Sequence, residues 1–234
     1  RRRIWNRSRI SSVIIIKLFS ELDYKMLVSI LIPTLFERTS TFIPMVEDLF
    51  QQIKDNDLEK KVEIISICDN RNMTLPAKRN KLQEMANGKY FTHLDDDDNF
   101  TEDYCKTVVD FIEELEEDVD VIGYNQKAFV EKDIFIVRSS QQHGLKLEPS
   151  GNQFNEDMTL KEGVIPELYR TPWQWCLWNR ERFGSVHRTD ADGNGAEDQN
   201  WLVRVHLEYP KTYKYIDFIA HEYHFEDPSK TTCQ

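Results

Sequence analysis

Apolar residues in this chain fall in short runs separated by stretches of helical spacing, and the alternation predicts its elements. The run Leu27-Val28-Ser29-Ile30-Leu31-Ile32, closed by Pro33-Thr34, reads as a strand buried on both faces. Met45, Val46, Leu49, Phe50 and Ile53 then mark one face of a helix, with Pro44 tolerated in its first turn. Residues 62–67 form a second apolar strand that ends at Cys68-Asp69-Asn70. A helix over about 75–87 follows, with Pro76 near its start and Gly88 as its stop. The third strand, Tyr90-Phe91-Thr92-His93-Leu94, runs straight into Asp95-Asp96-Asp97-Asp98. Thr101 is placed to cap a helix with the stripe Tyr104, Val108, Ile112 and Leu115, and residues 119–124 read as a fourth strand. Strands and helices alternating at this spacing predict an α/β fold, a doubly wound, mainly parallel sheet with helices on both faces.

In such a sheet the ends of the first three strands share one crevice. Thr34, Asp69 and the four aspartates would line it, where α/β proteins hold nucleotides. Adjacent carboxylates repel unless a cation shares them, and all-oxygen ligands suit Mg²⁺ or Mn²⁺. Taken alone, the run reads equally well as a solvated acidic turn. No G-x-G-x-x-G or Walker motif is present, so phosphates would rest on metal and side chains.

Composition narrows the picture. A chain of 234 residues, 40% hydrophobic, can bury one sizeable core, so residues 26–234 read as one domain. That domain would fall into two halves, residues 26–125 and residues 126–234. A net charge of −11 argues against nucleic acid as a partner. Cys68, Cys105, Cys176 and Cys233 are widely spaced and read as reduced thiols, which fits a cytoplasmic protein. Residues 1–25 hold seven Lys/Arg and two Asp/Glu. Their apolar part, Val13-Ile14-Ile15-Ile16, is too short to span a membrane. Met26 stands immediately before the first clear strand, so residues 1–25 are expected to be an added extension. A peripheral membrane anchor is the other reading.

Three further features carry less. Asp190-x-Asp192-x-Asn194-Gly195 begins like an EF-hand loop, but Trp201 stands where the bidentate Glu belongs. That stretch is expected instead to be a mobile loop closing over whatever the crevice binds. Trp173, Trp175 and Trp178 offer faces on which a sugar could stack, although most are expected to be core. Residues 138–163 show no period and read as an excursion between the halves.

Several of these segments resemble glycosyltransferase family 2, which has the GT-A nucleotide-sugar fold. Val28-Ser29-Ile30-Leu31-Ile32-Pro33-Thr34 is similar to its opening strand, Ala77-Lys78-Arg79-Asn80 to its Ala-Arg-Asn element, and Leu94-Asp95-Asp96-Asp97-Asp98 to its DxD signature. The resemblance implies that Asp69 contacts uracil and that Arg79 lies near the nucleotide. Asp95 would contact the ribose or a metal-bound water, with Asp97 the direct metal ligand. Thr34 and Asp96 would belong to the donor site. A one-residue shift would put the ligands on Asp96 and Asp98 instead. The small residue usual within the signature is Asp96 here, and the common Tyr-Arg near the C-terminus is Tyr223-His224.

Gly195-Ala196-Glu197-Asp198-Gln199-Asn200 resembles the family's Glu-Asp motif. The resemblance implies Asp198 as general base, with Glu197 orienting it or the acceptor. The plain alternative is two acids complementing a helix dipole. His224, preferred over His221, would be a third metal ligand, while His93 reads as structural.

The implied activity is a metal-dependent, inverting transfer of sugar from a UDP-sugar to an acceptor hydroxyl. Mn²⁺ or Mg²⁺ is the implied cofactor, and a glycan, lipid or protein the implied acceptor. Two other readings use the same acids: a sugar-nucleotide nucleotidyltransferase, and a non-catalytic carbohydrate- or Ca²⁺-binding module.

Overall fold

The computed structural model describes residues 9–10, 13–18, 26–139, 144, 146, 148–150, 153, 155, 159, 161–189, 197–207 and 212–225. The elements in chain order are β1 (Arg9–Ile10), β2 (Val13–Leu18), β3 (Val28–Leu35), α1 (Thr39–Asp55), β4 (Val62–Asp69), α2 (Leu75–Met85), β5 (Tyr90–His93), β6 (Asn99–Phe100) and α3 (Tyr104–Glu113). There follow β7 (Val121–Val130), β8 (Asp133–Ser139), β9 (Glu148–Pro149), β10 (Glu167–Arg170), β11 (Leu177–Asn179), α4 (Arg180–Phe183), α5 (Glu197–Leu207) and β12 (Tyr213–Phe225).

Strands β4, β3 and β5 lie side by side and parallel, with β3 in the middle. All eight residues of β3 are buried, which is why its sequence is nearly unbroken in apolar residues. Ile30 and Ile32 pack with Met45 and Leu49 of α1 and Val108 of α3, while Leu31 faces Leu82 of α2 and Trp201 and Leu202 of α5. The helices therefore cover both faces, as the alternation predicts. Burying each such Ile or Leu contributes about 1.5–3 kcal/mol. Because β4 and β5 flank β3 on opposite sides, the chain reverses direction of winding there and opens a crevice beyond Thr34 and Leu94.

The second half is mixed. The fourth predicted strand, β7, does not adjoin β5, because β11 lies antiparallel between them. Strand β12 runs parallel to β7 and also pairs with β6, which ties the chain after the aspartates to the C-terminal part.

Four local expectations differ from the structure. Helix α1 starts at Thr39 after a single 3₁₀ turn, Phe36–Arg38, so Pro44 lies beyond the first turn. Gly88 is not the stop of α2, which ends in an extended Ala86. It is small because a Cβ there would come 2.5 Å from Ser29 N and 2.6 Å from Tyr90 O. Thr101 does not cap α3; its hydroxyl donates to Ile219 O at 3.0 Å. Finally, part of the expected extension is inside the sheet. Strand β2 pairs antiparallel with β4, from Ile14 opposite Cys68 to Leu18 opposite Ile64.

Cys68, Cys105 and Cys176 are buried free thiols. Among the described residues no helix is long and apolar enough to cross a membrane. Cys233, the Asp190-x-Asp192-x-Asn194-Gly195 stretch and most of 140–160 lie outside the described residues.

Candidate active site

The crevice is built by three chain segments. Strand β5 ends at His93, and Leu94 N still bonds Leu31 O at 3.0 Å, so Asp95 emerges beside the end of β3. A tight turn, Asp98 N to Asp95 O at 3.1 Å, then crowds the four acids together. Helix α2 begins nearby with Thr74 accepting from Ala77 N at 3.3 Å, and its first turns present Lys78 and Arg79.

Arginines divide the acidic run. Arg38, from the 3₁₀ turn, bonds Asp96 and reaches Asp97 at 2.9 Å. Asp96 is buried and also accepts from Thr34 Oγ1 at 2.6 Å. Burial raises its pKa, against the pull of Thr34 and Arg38. Burial pushes Asp95 the same way, but the charge and hydrogen bond of Arg79, with the charges of His221 and Arg188, together outweigh it and hold Asp95 below the usual range. Asp97 has the most open carboxylate of the three ion-paired acids, 47% exposed against 35% for Asp95 and 5% for Asp96.

Arg79 is the hub. Its side chain is 2% exposed, and Nη2 donates to Asp95 Oδ1 at 2.6 Å. Its Nη1 donates to Glu197 Oε1 at 2.6 Å and also bonds Asp198 Oδ1. The structure thus brings together four residues that the sequence singled out in separate motifs. Burial, with the charge of Asp198 added, raises the pKa of Glu197. These two acids open α5, where the helix dipole also favours negative charge.

Asp69 is fully buried, ion-paired with Lys78, and accepts from Met73 N at 2.7 Å. Lys78 also donates to Thr34 O at 2.9 Å and so joins the ends of β3 and β4. Asp98 is buried against His221, whose Nε2 lies 3.3 Å from Asp98 Oδ2. The His221 ring stacks on Trp175 with centroids 5.3 Å apart. His224 meets the acidic turn through its backbone, donating N–H to Asp98 Oδ1 at 3.1 Å, while its exposed ring stacks on Phe129. The structure does not bring the His224 ring onto Asp95 and Asp97. Among the described residues no group of three His, Cys, Asp or Glu is gathered to hold a metal.

Trp175 and Trp178 are core residues, and Trp173 is the partly exposed one, its face covered by Arg170 at 3.3 Å. His93 is buried. Sequence reasoning missed Arg38, Gln174 and Arg188. Each stands outside a recognisable motif, and an isolated arginine or glutamine reads as surface.

The sequence model for glycosyl transferase family 2 matches residues 45–164, just over half of the chain. The chain belongs to this family. The family membership agrees with likeness to solved structures. S. aureus TarS 1–349 in complex with UDP-GlcNAc is similar at TM-score 0.54 and 14% identity, over 88% of this chain and 61% of that one. A second structure of S. aureus TarS 1–349 gives 0.53 and 14% over 85% and 60%. Its complex with UDP gives 0.52 and 13%, again over 85% and 60%. The chain thus spans about 61% of the length of TarS 1–349. At these identities the likeness is one of fold, the GT-A type. No curated protein matches the chain.

Proposed function

We propose that this family 2 glycosyltransferase moves a sugar from a UDP-sugar to an acceptor hydroxyl, with inversion at the anomeric carbon. The observation that carries the reading is the bridge made by Arg79. One buried guanidinium joins Asp95, on the strand end where a nucleotide lies, to Glu197 and Asp198 on the opposite side of the crevice. The TarS structures with UDP and UDP-GlcNAc support a uridine nucleotide as donor.

Asp69 and Thr34 line the base and ribose end of the crevice, with Arg79, Asp95 and Asp96 beside the diphosphate. Asp198 accepts the proton of the acceptor hydroxyl as its oxygen attacks the anomeric carbon. The bond from that carbon to the β-phosphate oxygen breaks, and UDP leaves with the electron pair. Glu197 shares Arg79 with Asp198 and holds the pair in place. A divalent cation fits the donor set. Asp95 and Asp97 offer part-exposed hard oxygens, and a cation such as Mn²⁺ or Mg²⁺ takes its remaining ligands from substrate phosphates and water. His224 meets Asp98 only through its backbone and stacks its ring on Phe129, so this ligand set does not include it. Such an ion would neutralise the leaving diphosphate. In this division of labour residues 26–125 form the donor half and residues 126–234 the acceptor half.

Calorimetric titration of UDP, with Mn²⁺ and then with EDTA, tests the donor site. Metal-dependent binding that disappears in Asp97→Ala is the expected result. A screen of UDP-sugars for UDP release, with the product anomer read by NMR, then tests the chemistry. No UDP binding in either condition would overturn the donor assignment, and retention at the anomeric carbon would overturn the mechanism.

A further inference from the structure

Arg188 has no part in the scheme above, yet its guanidinium is fully buried beside the reacting groups. Its Nη1 donates to Gln83 Oε1 at 2.7 Å and contacts His93 Nε2 at 3.2 Å. Its Nη2 donates to Gln174 Oε1 at 3.2 Å, and its Nε to Asp198 Oδ1 at 3.3 Å. The plane also lies over the Trp201 ring, 4.4 Å from its centroid. A guanidinium can only donate, so His93 Nε2 must accept, and the ring is neutral with its proton on Nδ1. Burial, followed by the charges of Arg188 and Arg79, holds His93 far below its usual pKa and keeps it so.

Gln174 extends the chain of contacts. Its Nε2 donates to Asp95 Oδ2 at 3.4 Å while its Oε1 accepts from Arg188. A second route therefore joins Asp95 to Asp198, independent of Arg79. Stability does not explain this arrangement, since a buried ion pair is often no better than apolar packing of the same volume. Direction does. Arg79 and Arg188 both bind Oδ1 of Asp198, and among the described residues nothing donates to Oδ2. One carboxylate oxygen is pinned from two sides, and the other is left to take a proton.

We propose that Arg188 is a positioning residue that aims Asp198 Oδ2 at the acceptor hydroxyl, and that Gln174 ties this aim to Asp95 at the donor end. The inference rests on the reading of Asp198 as general base. Steady-state kinetics on Arg188→Lys, Gln174→Met and the double variant, with the UDP-sugar the wild type turns over, test it. Arg188→Lys keeps the charge but not the fork of donors. The expected result is a kcat loss of about tenfold or more, with the donor KM and the UDP Kd within about twofold of wild type. The double variant should lose less than the product of the single losses, because both sever one route. Unchanged kcat in Arg188→Lys, or a KM that rises with kcat steady, would overturn the proposal. Should Arg188→Lys fail to fold, Gln174→Met decides alone: a fall in kcat at constant KM supports the route, and wild-type kcat overturns it. A wild type that binds UDP, with an Arg188→Lys variant that turns over at the wild-type rate, would sink only this inference. One that neither binds nor turns over UDP-sugars would sink the donor reading, and this inference with it.

Discussion

Arg79 and Glu197 lie 118 positions apart in sequence and 2.6 Å apart in space. Their contact closes the crevice between the two halves of the chain. Arg79 is surrounded by Asp95, Glu197 and Asp198, so its removal would strand three carboxylates in a mostly buried setting. Breaking one partner out of such a network costs about 3–5 kcal/mol. Arg79→Met should therefore lower the unfolding free energy, read by denaturant titration, by a comparable amount and abolish transfer. A variant as stable as wild type would show that the bridge carries no weight in folding.

The pH dependence of Glu197 follows from its burial. Burial and the neighbouring charge of Asp198 hold its folded-state pKa above the ordinary value. A raised carboxyl contributes stability that is complete below the unfolded-state pKa and is lost as pH rises through the folded one. Glu197→Gln removes that loss. The gap in denaturant midpoint, variant minus wild type, should move in favour of the variant as pH rises above the ordinary glutamate pKa of about 4.3. Parallel curves above that pH would contradict the assignment.

Asp96 and Asp97 are neighbours with opposite prospects. Asp96 is buried and holds both Thr34 and Arg38, so Asp96→Ala leaves a buried hydroxyl without its acceptor and should cost about 1–3 kcal/mol. Asp97 faces solvent with a surface-like ion pair, and Asp97→Ala should change stability by about 0–1 kcal/mol. Metal-dependent UDP binding should nonetheless vanish in Asp97→Ala. Thermal melts and calorimetry on the two variants separate the roles. Loss of UDP binding in Asp96→Ala alone would move the metal register by one residue.

What could be read from sequence was whatever is local. Strand β3 announces itself because burial on both faces demands an unbroken apolar run, and Asp95 because a strand ends in charge. Arg79 was legible only through the motif around it, since a helical arginine ordinarily faces water. Arg188 and Gln174 could not be found this way. Their partners lie about a hundred positions off or on another loop, and no local pattern encodes a buried donor of four bonds. The insertion of β11 between β5 and β7 was hidden for the same reason, because antiparallel pairing over such distances leaves no periodicity. In the N-terminal segment, a short apolar run beside many arginines looked foreign to the domain, yet Val13–Leu18 is a strand of its sheet, paired with β4.

Gly88 links packing to the site. A Cβ at this position would meet Ser29 N at 2.5 Å, Tyr90 O at 2.6 Å and Val28 C at 2.7 Å, all of them backbone atoms that cannot swing aside. The chain comes so close because Gly88 N donates to Ser29 Oγ at 2.8 Å and Tyr90 N to Leu27 O at 2.8 Å, which starts the β3–β5 pairing. Gly88→Ala must force these strands apart, and overpacking of this kind costs about 1–3 kcal/mol. The far end of the same pairing sets the span between Thr34 and Asp96, now 2.6 Å. The variant should therefore melt earlier than wild type and also bind UDP more weakly, although Gly88 touches neither acid. Reduced stability with unchanged UDP affinity would mean that β3 and β5 absorb the strain before it reaches the crevice, and that the site is held by its arginines alone.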